Sequence, residues 1–299
     1  MKNFADVLIE EIIHKNSVLV AGLDPDLQYF PDFLIDSGEV SNQKASEAIY
    51  HYNRIVIDAV AEHVVAVKPQ LAYYEVYGSE GIRALEKTIA YAKSKNLIVI
   101  NDAKRGDIGS TSSAYAKAFL GNGSLAGDMV TVNPFLGSDG YLPFIEEAGR
   151  NGKGLFLLVK TSNPSSHEVQ DVKLENGELL YIKMADDINK IAQQTLGENN
   201  YSFIGAVVGA TYPMEAEKVR KSLPSSIFLV PGFGAQGGTA NDLKPFFDAK
   251  GLGALVSSSR GIIYNGSKEE KKTEAVLYEF IAKAARESND KINEVRLSH

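Results

Sequence analysis

Cysteine is absent from this 299-residue chain, and the chain also lacks an excess of positive charge and any long hydrophobic run. Without thiols there can be no disulfide, no thiolate metal site and no cysteine nucleophile. The net charge of −7 argues against a broad basic face for nucleic acid, although a local basic pocket could still bind a small anion. No segment approaches the length of a membrane span. We therefore expect a cytoplasmic protein that binds neither nucleic acid nor membranes.

Two common kinds of catalytic motif are also missing. No Gly-x-Ser-x-Gly sequence is present, which disfavours a serine hydrolase. Histidine is scarce, and no histidine pairs with a nearby acidic residue at metal-ligand spacing. The five histidines are His14, His51, His63, His167 and His299. We expect them to be surface or packing residues, and we expect no metal site.

The chain repeats one rhythm of short apolar runs and helix-like stretches. Eight runs are apolar or β-branched: 18–21, 64–67, 97–100, 129–132, 155–159, 204–208, 227–230 and 254–256. Helix-like patterns lie between or after them at 43–62, 80–95, 142–150, 184–194, 214–222, 241–248 and 271–286. Near-continuous apolar strands alternating with helices are typical of a parallel sheet covered by helices. Eight units predict an α/β protein with a (β/α)₈ (TIM) barrel, a single domain over residues 1–299, and an extra N-terminal helix at 4–14 covering the bottom.

Polar residues follow the apolar runs, where a barrel of this kind places its active site. The loops after the seventh and eighth runs commonly bind phosphate in such barrels, and Arg260 can form paired bonds to phosphate oxygens. The polar positions are Asp24, Lys68, Asp102, Lys104, Asn133, Lys160, Thr161, Ser162, the glycine-rich stretch 231–238 and the stretch 257–261.

The most informative stretch is 101–111, Asn-Asp-Ala-Lys-Arg-Gly-Asp-Ile-Gly-Ser-Thr. Strand side chains alternate between faces, so Asp102 and Lys104 should point into the same cavity. Asp107 should place a second carboxylate at the rim, before a helix capped by Ser110 or Thr111. Such charges persist inside a protein where they are paired or where chemistry needs them. A solvated surface salt bridge is the alternative.

Two loops allow more than one interpretation. The stretch 232–237 satisfies Gly-x-Gly-x-x-Gly, but a dinucleotide site would place this pattern after the first strand, not the seventh. A glycine-rich turn needed only for backbone geometry stays possible. The stretch 172–181 predicts a hairpin turning at Asn176-Gly177, which either covers the cavity or decorates its rim. We expect its tip to be decoration.

Together these motifs resemble those of the orotidine 5′-phosphate decarboxylases, most of all the longer bacterial form. The resemblance rests on 101–111, with Gly-Leu-Asp-Pro at 22–25, Val-Lys-Pro at 67–69, the stretch 231–238 and Ser-Arg-Gly at 259–261. It runs in order from Val18 to Tyr264, whereas the short Asp-x-Lys-x-x-Asp element alone is shared with hexulose-phosphate synthases. It implies cofactor-free loss of CO₂ from orotidine 5′-phosphate to give uridine 5′-monophosphate, the last step of pyrimidine nucleotide synthesis.

The resemblance also implies roles for individual residues. Lys104 would donate a proton to ring C6 and stabilise the carbanion there, beside Asp102 at the substrate carboxylate. Lys68 and Asp107 would complete the charged array. The remaining implied roles are Asp107 and Thr111 contributed by the neighbouring subunit of a homodimer, Asp24 at the ribose hydroxyls, Ser162 at the pyrimidine, and Gln236 with Arg260 at the phosphate.

The sequence disfavours three other functions. A Mg²⁺-dependent aldolase or decarboxylase of the same barrel family would place a carboxylate ligand where Lys68 stands, and an ammonium there repels the metal. A Schiff-base aldolase needs a neutral lysine, but the carboxylates flanking Lys104 favour its protonated form. A non-catalytic nucleotide-binding barrel would be expected to have lost Lys104 or one of its acidic partners.

Overall fold

The eight apolar runs form the strands of one closed parallel barrel. The computed structural model describes residues 2–35, 40–233, 240–265 and 273–298. Within these residues the strands follow in chain order around the barrel, and β8 pairs back onto β1, with Leu19 opposite Val256. The (β/α)₈ prediction is confirmed. The strands are β1 Leu19–Leu23, β2 Ala66–Pro69, β3 Ile98–Arg105, β4 Met129–Val132, β5 Gly154–Lys160, β6 Ser202–Val208, β7 Ser226–Val230 and β8 Ala254–Ser258.

The strands are apolar because the barrel buries both of their faces. Every residue of β1, β7 and β8 is buried, and so is every residue of β2 and β4. One face packs inside the barrel and the other packs under the surrounding helices, so no polar alternation is needed. Side chains that need water are therefore confined to the strand ends and to the loops that follow them.

The helices cover the outside of the barrel. Side-chain caps begin two of the longest ones, since Ser41 accepts a hydrogen bond from the Lys44 amide and Thr273 accepts one from the Val276 amide. The described α-helices are α1 Phe4–Lys15, α2 Asn42–Val60, α3 Ala72–Glu75, α4 Gly78–Ser94, α5 Gly109–Leu120, α6 Ser138–Asn151, α7 His167–Gln170, α8 Leu180–Ala192, α9 Pro213–Ser222, α10 Arg260–Ile263 and α11 Glu274–Arg296.

The predicted extra helix is α1, at the amino-terminal end of the barrel. Its Asp6 carboxylate accepts backbone hydrogen bonds from Glu198 at 2.9 Å and Asn199 at 2.8 Å, just before β6 begins. The Asn3 amide donates to the Thr195 carbonyl at 2.9 Å. These contacts lie at the end of the barrel opposite the predicted site, which confirms the expected position of this helix.

Three helix predictions need correction. Neither Ser110 nor Thr111 caps α5, because Gly109 (φ +53°) already makes the turn and the helix starts there, with Ile108 at the cap position. The predicted helix 241–248 is a six-residue 3₁₀ helix, Asn241–Phe246, containing Pro245, which lacks an amide donor. The helix predicted at 271–286 begins at Glu274 and continues ten residues further, to Arg296.

Two further predictions are the absence of a membrane-spanning helix and the single domain. In the described ranges, no helix is both long enough and apolar enough to cross a membrane. The buried apolar residues of the barrel and its helices form a continuous cluster. That residues 1–299 form a single domain stays a prediction.

Candidate active site

A cavity of about 720 Å³ opens at the carboxyl ends of the strands. Its lining includes six of the predicted site residues: Asp24, Lys68, Asp102, Lys104, Ser162 and Arg260. Asp107 and Thr111 are not part of this lining. Gln236 lies outside the described residues. The strand ends therefore bring most of the predicted residues together in one place.

Asp102, near the end of β3, is the centre of the charged network. Its carboxylate is buried and accepts from the Lys68 ammonium at 2.8 Å and from the Lys104 ammonium at 2.5 Å. The Gln70 side chain donates to the same carboxylate at 3.0 Å, and the Thr131 hydroxyl donates at 3.1 Å. A solvated surface salt bridge is thus the wrong interpretation of this motif, because Asp102 and Lys68 are both buried.

Burial and charge pairing shift the pKa values of Asp102 and Lys68 in opposite directions. Burial raises the pKa of Asp102, but the charges and hydrogen bonds of Lys68 and Lys104 outweigh it, so this pKa lies far below its usual range. Burial likewise lowers the pKa of Lys68, while the charges of Asp102 and Asp24 raise it more strongly. Asp102 stays an anion and Lys68 a cation at neutral pH.

A bulge in β3 brings Lys104 to the cavity. The register between β3 and β4 shifts between Asn101 and Arg105, and Lys104 has φ +46°, an uncommon conformation for a residue with a side chain. The Lys104 amide donates to the Thr131 hydroxyl at 2.9 Å, which fixes this backbone conformation. Asp102 and Lys104 share one face, as predicted. The Lys104 side chain remains 46% exposed, so its ammonium is available to a ligand.

Two residues of this network were missed by sequence reasoning. Gln70 stands two positions after Lys68, so strand alternation could have indicated it. Thr131 is the one hydroxyl residue within the apolar stretch of β4. A single polar residue in an apolar strand or in a loop does not by itself indicate a functional site.

Asp107 lies past the end of β3, as predicted, but is not part of its own chain's cavity lining. Its carboxylate accepts from the Ile108 amide at 2.7 Å, and no ion pair joins it to Lys104 within the described part of the chain. Its carbonyl packs so closely on Gly140 that a Cβ there would lie 3.0 Å away. Ile108, next to Asp107 in the chain, is an exposed apolar residue, and the segment after β4 and the first turns of α6 carry three more, Phe135, Leu136 and Leu142.

The first and eighth loops meet at one end of the cavity. A Cβ on Gly22 would lie 1.8 Å from the Ser259 hydroxyl oxygen, so glycine is required for this close approach. The Tyr264 hydroxyl donates to the Asp24 carbonyl and accepts from the Asp26 amide at 2.6 Å. Arg260, the first residue of α10, is exposed on this side. The loops thus hold Asp24 and Arg260 at the same end.

The other side of the cavity is formed after β5. Gly209 allows Ser162 to approach, because a Cβ there would lie 2.7 Å from the Ser162 Cα. The predicted turn at Asn176-Gly177 is present, with a bond from the Leu174 amide to the Glu178 carbonyl at 2.8 Å and φ +83° at Gly177. The hairpin is shorter than predicted, with one bridge between Lys173 and Leu179, because Leu180 already begins α8. Its tip does not line the cavity, as expected. The apolar lining includes Leu158, Val159, Val207, Leu229, Phe135, Val169, Leu180 and Met184.

The polar groups that line the cavity are ammonium, guanidinium, amide and hydroxyl groups, together with the carboxylates of Asp24 and Asp102. Across the described ranges, no three or more histidine, cysteine or acidic side chains come together as a metal site. His299 lies outside those ranges. The expectation of a metal-free site stays a prediction.

Comparisons with known proteins agree with this geometry. Residues 43–275 match the family model described as "Orotidine 5'-phosphate decarboxylase / HUMPS family". A Caldicellulosiruptor bescii orotidine 5′-phosphate decarboxylase is 45% identical over 88% of this chain and 90% of its own length. The Rhodopirellula baltica protein of the same name is 43% identical over 90% and 91%. The structure of Leishmania donovani OMP decarboxylase, 29% identical, superposes with a TM-score of 0.78 over 99% of this chain and 100% of that one.

Proposed function

The chain belongs to the orotidine 5′-phosphate decarboxylase / HUMPS family, and we propose that the ion network around Asp102 carries out its chemistry. It is a carboxy-lyase that converts orotidine 5′-phosphate into uridine 5′-monophosphate and CO₂, the last step of pyrimidine nucleotide synthesis. One observation carries the assignment of roles. A buried carboxylate binds two ammonium groups at the wall of a cavity large enough for a nucleotide.

Lys104 acts at ring C6. When the bond between C6 and the carboxylate carbon breaks, CO₂ leaves and the electron pair stays on C6. A positive charge held in place before the reaction lowers the free energy of that carbanion. The Lys104 ammonium supplies this charge and then gives a proton to C6, and solvent restores the lysine proton. Its exposure to the cavity is what this role requires.

Asp102 and Lys68 hold Lys104 in place. Asp102 lies beside the substrate carboxylate and keeps its negative charge, because the two lysines lower its pKa. Lys68 is buried on the far side of Asp102 and prevents the carboxylate from turning away from Lys104. This positioning is sufficient for Lys104 to act, without strain in the bound substrate.

The active protein is a homodimer with shared active sites. Asp107 and Thr111 enter the cavity of the partner and complete the array beside Lys104. Support comes from their position outside the lining of their own cavity and from the apolar surface next to them. Ile108, directly after Asp107 and outside the cavity lining, is 53% exposed, and an interface would cover it.

The remaining predicted residues bind the rest of the nucleotide. Asp24 binds the ribose hydroxyls, and its buried Oδ1 atom has no hydrogen-bond partner in the described structure. Arg260 and Gln236 bind the phosphate after β7 and β8, and Ser162 binds the pyrimidine. The reaction uses neither metal nor cofactor. The enzyme works in the cytoplasm without a nucleic-acid partner.

The function is tested by following orotidine 5′-phosphate absorbance with purified protein in excess chelator. Turnover is expected to continue at the rate measured without chelator, because ammonium groups and not a metal stabilise the carbanion. Turnover that stops with chelator and returns with added Mg²⁺ would assign the protein to the metal-dependent relatives instead.

A further inference from the structure

Lys160, the last residue of β5, is a buried cation for which the proposed reaction has no use. Its side chain is 1% exposed, and it is not part of the cavity lining. Its ammonium donates to the Asp171 carboxylate at 2.6 Å and to the Ser166 hydroxyl at 3.2 Å. Burying an ammonium is costly unless it is paired, and its one carboxylate partner is 36% exposed. Because burying this ammonium costs free energy, we expect it to have a role in the segments that Lys160 contacts.

Two tyrosine rings complete the surroundings of this ammonium. The ring centres of Tyr212 and Tyr181 lie 4.7 Å and 5.6 Å from the Lys160 nitrogen. The Tyr212 hydroxyl in turn donates to the Asn163 carbonyl at 3.2 Å. Lys160 therefore contacts α8 and the loop before α9 together with the segment that follows its own strand.

That segment, residues 161–171, forms one side of the cavity and is here called the β5 wall. It closes on itself, because the Thr161 amide donates to the Gln170 side-chain oxygen at 2.9 Å and the Gln170 amide group donates back to the Thr161 hydroxyl at 2.7 Å. Asp171, the partner of Lys160, directly follows Gln170. The members of the β5 wall that line the cavity are Thr161, Ser162, Asn163, Val169 and Gln170.

We propose that Lys160 is a positioning residue that fixes the β5 wall from behind, so that Ser162 is held where the pyrimidine binds. Two contacts hold the start and the end of the wall together: the ion pair between Lys160 and Asp171, and the hydrogen bonds between Thr161 and Gln170. Without the ammonium, Asp171 loses its partner and Gln170 loses its fixed neighbour, so Ser162 is no longer held in one place. This inference rests on the proposed function and assigns a role to a residue outside the reacting groups.

The test compares Asp171→Asn, Asp171→Glu and Lys160→Met with wild type. Asp171→Asn removes the charge of a half-exposed partner and should leave folding intact. We expect KM for orotidine 5′-phosphate to rise about tenfold while kcat changes less than about threefold, because a contact made equally in the ground state and the transition state is weakened. Lys160→Met should change KM in the same direction and more strongly. Asp171→Glu keeps the carboxylate and should fall between Asp171→Asn and wild type.

Asp187→Asn is the matched control. Asp187 is an aspartate of α8 that is 32% exposed and bound to Lys183 and Lys190, away from the cavity lining. The same substitution there should leave KM unchanged. Amide hydrogen exchange gives a readout independent of turnover: in Asp171→Asn the Thr161 amide should exchange about tenfold faster than in wild type or in Asp187→Asn.

The outcomes are separable. If Asp171→Asn keeps the wild-type KM and the wild-type Thr161 exchange, Lys160 does not position the wall, even if Lys160→Met fails to fold. An equal rise of KM in Asp187→Asn would also overturn the inference. Absence of turnover in the wild-type protein itself would overturn the proposed function, and the role in pyrimidine binding would fall with it.

Discussion

Replacing Lys104 by alanine is expected to lower turnover of orotidine 5′-phosphate at least about a thousandfold. The substitution removes both the charge that stabilises the carbanion at C6 and the proton that C6 receives. Affinity for the nucleotide should change much less, because other residues hold its ribose and phosphate. The fold should persist, since Asp102 keeps Lys68 as a partner and the Lys104 side chain is 46% exposed. Steady-state rates and thermal unfolding of the purified variant measure both effects.

Lys183→Ala provides the control for this substitution. Lys183 is a lysine of similar exposure, 45%, which pairs with Asp187 on α8 and lies outside the cavity lining. Its removal should leave turnover at the wild-type level. Activity above a few per cent in Lys104→Ala would contradict the role of Lys104.

Mixing inactive Lys104→Ala with inactive Asp107→Ala is expected to restore activity. If each cavity takes Lys104 from one chain and Asp107 from the other, a mixed dimer collects both defects in one site and leaves the second site intact. Random exchange of subunits makes half of the dimers mixed. Recovered activity should therefore approach about a quarter of the wild-type rate. The measurement is subunit exchange in mild denaturant, followed by dilution and assay.

The controls are each variant carried through the same exchange alone, which should stay inactive. Mass spectrometry of differently tagged chains shows whether mixed dimers have formed. Mixed dimers without recovered activity would mean that Asp107 acts within its own chain, and a monomeric protein would contradict the shared site altogether.

The barrel could be predicted from the sequence because its strands are buried on both faces. Such strands must be continuous apolar runs, and the polar residues that follow them must then meet at one end. Lys68, Asp102 and Lys104 are therefore predicted to lie in one cavity, and the structure places all three in its lining. The Asp–x–Lys spacing predicted that these two side chains meet, but the structure brings Lys104 to the cavity through its positive φ and the register shift in β3, not through regular alternation.

Other features depend on tertiary contacts that local patterns do not encode. The start of α5 was predicted from the capping preference of Ser110 and Thr111, but the positive φ of Gly109 decides it. Gln70 and Thr131 join the network through partners about 30 residues away in the chain. In the sequence Lys160 is one more polar residue at a strand end, because its partners Asp171 and Tyr212 come from two later segments.

A crystal structure with bound uridine 5′-monophosphate tests the account most directly. We expect pyrimidine C6 within about 3.5 Å of the Lys104 nitrogen, the distance at which a proton can be transferred. The base should contact Ser162, the ribose Asp24 and the phosphate Arg260, with Asp107 of a second chain beside Lys104. A nucleotide bound in the reverse direction, with its phosphate at the charged network and C6 far from Lys104, would contradict it.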